Sequence, residues 1–136
     1  MTHQRFRPYK HNLSHDGDDF SYELAMAVKV GNRIWLRGQT GHDFDGSFIS
    51  EGDPALQAET AMRCSDELLR EAGASLNDIV KLTVYMIDRE YRAPVFSVLA
   101  KWLKGVRPCQ TGLIVTGLAR PEMLIELDIE AIIGDE

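Results

Sequence analysis

The sequence predicts an α+β domain, a mixed sheet of about four to six strands with two helices packed on one face. Three observations point there. Residues 79–86 and 124–133 alternate apolar and polar side chains, the period of a half-buried strand. Between Ala55 and Ala72, apolar and small residues recur at spacings of three and four, the period of an amphipathic helix. The elements then run strand, strand, helix, strand, helix, strand, strand, which makes two βαβ-like halves. With 136 residues, the chain is long enough for one domain with its own core, spanning 1–136.

Residues 1–20 read as an irregular N-terminal segment, with Arg5-Phe6-Arg7-Pro8-Tyr9-Lys10 as a basic edge or arm and a polar stretch over 11–19. Leu24, Met26, Val28 and Val30 alternate with smaller or polar neighbours, which predicts a strand. Gly31-Asn32 signals a two-residue hairpin, and Arg33–Arg37 supplies the return strand. A loop rich in glycine and turn formers follows over 38–46. Asp53-Pro54 opens the first helix, aspartate as cap and proline at the first helical position. Ala55, Ala58, Met62, Ser65, Leu69 and Ala72 form its inner stripe, flanked by Leu56 and Leu68, and Gly73 ends it.

The strand at Ile79–Met86 places Val80, Leu82, Val84 and Met86 on one face and Lys81, Thr83 and Tyr85 on the other. Asp88 caps a second helix reaching about Leu103, with Val95, Val98, Leu99, Trp102 and Leu103 inward and Gly105 as its stop. Gly105–Gly112 reads as a turn running into a strand over Gly112–Thr116. The last strand spans Leu124–Ile133. Two helices on one face leave the other bare, and the last strand offers it either its apolar set or Glu126, Asp128 and Glu130. An uncovered sheet face with apolar content predicts an oligomer, with a closed ring as the symmetric solution.

Charge and composition exclude several classes. A net charge of −6 argues against a general nucleic-acid or anionic-membrane surface. No run approaches the roughly 20 apolar residues of a membrane span, and the N-terminus lacks the apolar run of a signal peptide. Cys64 and Cys109 stand outside any CxxC pattern and read as reduced thiols of a cytoplasmic protein. His11 and His15 have no further ligand at metal spacing, so no metal site is expected. The loop glycines form neither GxGxxG nor a P-loop.

Gly38-Gln39-Thr40-Gly41, the run Gly73–Tyr85, Arg107-Pro108 and Asp128-Ile129-Glu130-Ala131 together resemble the reactive-intermediate deaminase (Rid) family. That family is also called YjgF-like or L-PSP endoribonuclease-like. The resemblance covers roughly residues 24–133 and implies a chorismate-mutase-like fold. It also implies a homotrimer with sites for a small metabolite in the clefts between subunits. Family deaminases hydrolyse 2-imino or 2-enamino acids to 2-keto acids and ammonia without a cofactor. An arginine two residues after the proline grips the substrate carboxylate; a last-strand glutamate and a main-chain carbonyl hold the attacking water.

Carried over by position, the arginine falls on Gln110, the glutamate on Asp128 and the carbonyl on Gly112. The serine before Gly38-Gln39 is replaced by Arg37, and an asparagine of the second helix by Phe96. The family tyrosine near the first strand falls on Leu24, with Tyr22 two residues earlier. The resemblance thus implies Asp128 and Gly112 as catalytic groups. Gln110, Arg37, Gly38, Gln39, Cys109 and Phe96 would line the substrate site.

Each position has a plain structural alternative. Gln110 offers amide hydrogen bonds without charge, which suits an altered substrate or an inert polar cleft. Arg37, expected to share a face with Gln39, supplies a substitute guanidinium or a surface ion pair. Asp128, one methylene shorter than glutamate, holds water or simply lies on a solvated edge. Cys109 has no histidine paired with it in the sequence, while His42 titrates near neutrality and suits either proton transfer or an ordinary loop. The functional expectation is an imine or enamine hydrolase of altered specificity; the rivals are a non-catalytic ligand- or partner-binding trimer and an endoribonuclease.

Overall fold

Pairing of the alternating segments generates the sheet. The computed structural model describes residues 2–11 and 22–134, without the side chain of His11; the polar segment from residue 12 onward and His15 lie outside the described residues. The strands are β1 (His3–Phe6), β2 (Tyr9–His11), β3 (Tyr22–Leu24), β4 (Ala27–Val30), β5 (Arg33–Leu36), β6 (Ile79–Met86), β7 (Cys109–Ile114) and β8 (Ile125–Ile132). The helices are α1 (Pro54–Glu71) and α2 (Arg92–Trp102). Six strands form one mixed sheet in the order β1-β4-β5-β8-β6-β7, and β2 pairs with β3 separately. Both β5 and β6 run antiparallel to β8, and β7 runs parallel to β6. Each helix therefore lies on a crossover between parallel strands, as the βαβ reading requires.

Both helices cover one face. Met62, Leu68 and Leu69 of α1 and Val95 and Leu99 of α2 join Ile34, Leu82, Val84, Leu127 and Ile129 in a single buried core. The α1 cap forms as expected: the Asp53 carboxylate accepts from the Leu56 N–H at 3.0 Å. Gly73, at φ +84°, takes the left-handed position after the helix. Lys29 of β4 donates to the Ala72 carbonyl at 2.7 Å, placing a cation at the negative end of the helix. The inner face of α1 is wider than the expected stripe, since Gln57, Ala61, Cys64 and Leu68 are buried as well.

Five local expectations are corrected. The N-terminal segment is not irregular throughout, because β1 adds an edge strand on β4. The expected first strand is two strands, β3 and β4. Arg7 sits at φ +48° between β1 and β2, so the chain turns there and the two ladders separate. In β6 a bulge between Ile79 and Lys81 turns Ile79 inward and leaves Val80 about 40% exposed, although alternation alone puts Val80 inside. β7 begins at Cys109, not Gly112, because the turn is completed earlier by Gly105 at φ +83° and Arg107 at φ +57°. Asp88 caps a short 3-10 turn at Arg89–Tyr91, accepting from Glu90, and α2 starts after it.

The bare face is now identified. In β8 the apolar set Ile125, Leu127, Ile129 and Ala131 is buried, so Glu126, Asp128 and Glu130 face away from the helices. Trp35, Leu113 and Ile132 share that open face with them by register and are each exposed.

Candidate functional site

The expected site residues separate onto the two sides of the sheet. Gln110 pairs with Leu82 and Gly112 with Val84, both core residues, so β7 turns these two positions toward the helical side. Gly112 lies against α2: a Cβ there would be 3.1 Å from the Phe96 ring. Phe96 in turn carries the Arg92 guanidinium 5.7 Å from its centroid. Gln110, Gly112 and Phe96 therefore form one group at the β7 edge. Cys109 lies on the opposite side, opposite Lys81 in register, exposed and free.

Asp128 belongs to the open face. It pairs with Thr83, which pairs with Thr111 of β7. Across two strand spacings, Asp128 and Thr111 stand roughly 10 Å apart. A recess of about 420 Å³ adjoins Asp128, lined by Gly38, Tyr85, Val115, Gly117, Leu118 and Glu126 as well.

Arg37 and Gln39 do not share a face, contrary to the simple alternation. Trp35 pairs with Glu130, but Gln39 pairs with Leu127, so the chain leaving β5 has one residue more than β8 between those points. That irregularity turns Gln39 inward to 3% exposure, where its Nε2 donates to the Arg37 carbonyl at 2.7 Å. Arg37 stays exposed, with its guanidinium 5.6 Å from the Tyr9 ring. At Gly38 a Cβ would lie 2.5 Å from a carboxylate oxygen of Glu126, so any larger residue there would push the Glu126 side chain aside. Burial pushes the Glu126 carboxyl up, the Arg37 guanidinium pulls it back, and Asp128 adds to the rise.

His42 is not an ordinary surface residue. Its Nδ1 is 3.1 Å from the Thr40 hydroxyl, its Nε2 3.6 Å from Glu122, and its ring packs on Phe48 at 4.5 Å. The Glu122 contact favours the imidazolium, but burial first and Arg120 next outweigh it and pull the His42 pKa down. Cys64 is the inert thiol of the pair, pushed up to about 11 by burial.

Gln57 was the residue that sequence reasoning missed. Fully buried, it donates to the Ser50 and Glu122 carbonyls at 3.2 and 3.1 Å and accepts from the Leu124 N–H at 2.9 Å. It ties the 38–52 loop to the approach to β8, the two segments that bring His42 and Glu122 together. Its signal was its place in the 57, 61, 64, 68 row of α1, where it is the polar member of an otherwise apolar and small set.

The endoribonuclease L-PSP family model matches residues 20–133. The chain belongs to that family, the one also called YjgF or Rid. A RutC family protein of Pyrococcus abyssi is 35% identical over 104 residues, covering 76% of this chain and 81% of the relative. A mouse protein named 2-iminobutanoate/2-iminopropanoate deaminase is 29% identical over 108 residues, covering 79% and 78%. Among solved structures, a YjgF-family protein of Mycobacterium tuberculosis superposes with a TM-score of 0.78 at 26% identity, covering 97% and 100%. A Rid-family protein of Yersinia pestis superposes at 0.79 with 19% identity, covering 97% and 100%, which bears on the fold alone. The Rid or YjgF fold expected from the motifs is therefore the observed one. Among the described residues, no helix is long and apolar enough to cross a membrane.

Proposed function

We propose that this L-PSP family member hydrolyses an imine, enamine or related C–N bond of a small metabolite in clefts between the subunits of a homotrimer. The observation that carries the reading is Asp128, an exposed carboxylate beside a recess on the uncovered sheet face of a family that includes named imine deaminases. Within one chain Asp128 and the Gln110–Gly112–Phe96 group are on different sides of the sheet. A neighbouring subunit laid on the open face would bring its own β7 edge to Asp128. Exposed Trp35, Leu113 and Ile132 give that face apolar area to bury.

In this reading, the protonated imine carbon is already electrophilic, so the site supplies orientation and proton handling. Asp128 accepts a proton from water as the oxygen bonds to the imine carbon, and the C=N electron pair moves to nitrogen. Asp128 then returns that proton to the carbinolamine nitrogen and accepts the hydroxyl proton as the C–N bond breaks, the C=O bond forms and the nitrogen leaves as ammonia. The accepted proton passes to solvent, which restores the carboxylate. The Gly112 carbonyl orients the water, while Gln110 and Arg37 hold the rest of the substrate.

Gln110 cannot form the charge-assisted grip of an arginine, so 2-imino acids should bind about ten- to a hundredfold more weakly than with arginine there. We infer a substrate whose polar group near Gln110 is uncharged. The proposed setting is the cytoplasm, where both free cysteines stay reduced. An RNA-cleaving role fits poorly with Glu126, Asp128 and Glu130 aligned on the open face, since they repel phosphates.

The test is ammonia and keto-acid release from imines generated in place by an amino-acid oxidase, comparing the wild type with Gln110→Arg. Activity of Gln110→Arg exceeding that of the wild type supports an intact water site with altered substrate recognition. If neither form turns over any imine or enamine offered, and ligands bind without being consumed, the protein is a sensor and not a hydrolase.

A further inference from the structure

Asp128 shares the wall of its recess with a second carboxyl. Glu126 precedes it by two positions on the same face of β8, so their Cα atoms stand roughly 7 Å apart. Glu126 also lines a larger cavity of about 660 Å³, within a single chain between the 38–46 loop, the residues after β1 and the approach to β8. His42 lines this cavity too, and Tyr9, Met26, Phe44 and Met123 give it apolar walls. Only Gly38 and Glu126 are common to the recess and the cavity.

The two spaces therefore adjoin at one side chain lying on one glycine. A Cβ on Gly38 would be 2.5 Å from Oε2 of Glu126, 2.9 Å from its Cδ and 3.3 Å from its Cγ. The outer half of the glutamate thus lies flat against the glycine. Glu126 is half-buried there, yet among the described residues its carboxylate makes no hydrogen bond or ion pair. A carboxylate without a donor gains little stability from its position. Packing on Gly38 fixes it, and removing it breaks no hydrogen bond.

We propose that Glu126 is a partition that sets the size of the substrate accepted at Asp128, an inference that rests on the hydrolase reading above. With its carboxyl end against Gly38, the recess of about 420 Å³ closes on a short substituent. Without those atoms the recess opens over Gly38 into the larger cavity. There the walls of Tyr9, Phe44 and two adaptable methionines suit an aryl or branched body. The substrate class that fits the protein as it stands is an imine or enamine with a small aliphatic substituent. The bulk of Glu126 imposes this limit, and its charge does not.

The experiment has two arms, and the first needs no turnover. Benzamide, an uncharged aryl probe, is titrated into the full-length wild type, Glu126→Ala and Glu126→Gln while amide resonances are followed by NMR. In the wild type and Glu126→Gln, shifts should stay with Thr40, His42 and Phe44. In Glu126→Ala they should extend to Gly117, Leu118 and Asp128. In the second arm, an amino-acid oxidase generates the imines of alanine and phenylalanine in place. Glu126→Ala should raise the kcat/KM of the phenylalanine imine relative to the alanine imine by about tenfold or more. Glu126→Gln, nearly equal in bulk, should keep the wild-type ratio. The same residues shifting in the wild type and Glu126→Ala, no shift in either, or Glu126→Gln behaving like Glu126→Ala would each overturn the proposal. If no form consumes any imine, the hydrolase reading fails, while the NMR arm still decides whether Glu126 divides the two spaces.

Discussion

Alternate positions of β8 have separate work. Ile125, Leu127, Ile129 and Ala131 are at most 1% exposed and bind the sheet to both helices. Glu126, Asp128 and Glu130, interleaved with them, face the uncovered side and contribute almost nothing to the core. Because side chains in a strand alternate strictly, one set can hold the fold while the other changes chemistry. On the proposed reading, the scaffold persists while the pocket changes, with Gln110 where the family resemblance implies an arginine and Asp128 where it implies a glutamate.

The comparison is broken most severely from the apolar side. Leu127→Ala should cost about 2–5 kcal/mol in denaturant unfolding, with activity per folded molecule little changed. Gln57→Leu should approach this cost, about 2–4 kcal/mol, since it strands two carbonyls and one N–H inside the protein; the same unfolding curve measures it. On the polar side the effects invert. Asp128→Asn should shift stability by no more than ~0.5 kcal/mol while lowering imine hydrolysis on the order of a hundredfold, read from unfolding and ammonia release on the same preparation. A large stability loss in Asp128→Asn would remove the division of labour between the faces.

Smaller changes sharpen the picture at Gly38. Gly38→Ala should cost on the order of 1 kcal/mol by displacing the Glu126 carboxyl, and the double variant with Glu126→Ala should recover most of it. Glu126 also gives a pH signature. Its folded value is raised, so just above the ordinary glutamate range the folded chain keeps a proton that the unfolded chain has lost. Its contribution is complete at low pH and is lost as pH rises through the raised value. Glu126→Gln should flatten this part of the stability–pH profile, and a wild-type profile that rises there would contradict the burial of Glu126.

Element order from β4 onward, both helix boundaries at α1 and the alternation of β8 were legible in the sequence because caps and periodicity act locally. What was not legible depended on partners far along the chain. Val80 faces out because of a bulge against β8. Gln39 turns inward because the chain after β5 gains a residue on its partner, and no local pattern reports either shift. Asp128 could be named as a candidate from the family motif. The cavity beside His42 could not, because Tyr9, Arg37 and Arg120 line it together only through the folded arrangement of three segments. Strand β7 starts before Gly112 because Gly105 and Arg107 complete the turn before Pro108, leaving Gln110 and Gly112 inside the strand.

The central claim is that Asp128 and the Gln110 group act together only across a subunit boundary. Mixed assembly tests it directly: Asp128→Asn and Gln110→Ala subunits are each assayed alone, then after co-refolding in equal amounts, for ammonia release. Each alone should be nearly inactive, and the mixture should recover a substantial part of wild-type activity because some clefts combine the two unaltered groups. A mixture no more active than its components, or full activity in an isolated wild-type monomer, would contradict the shared site.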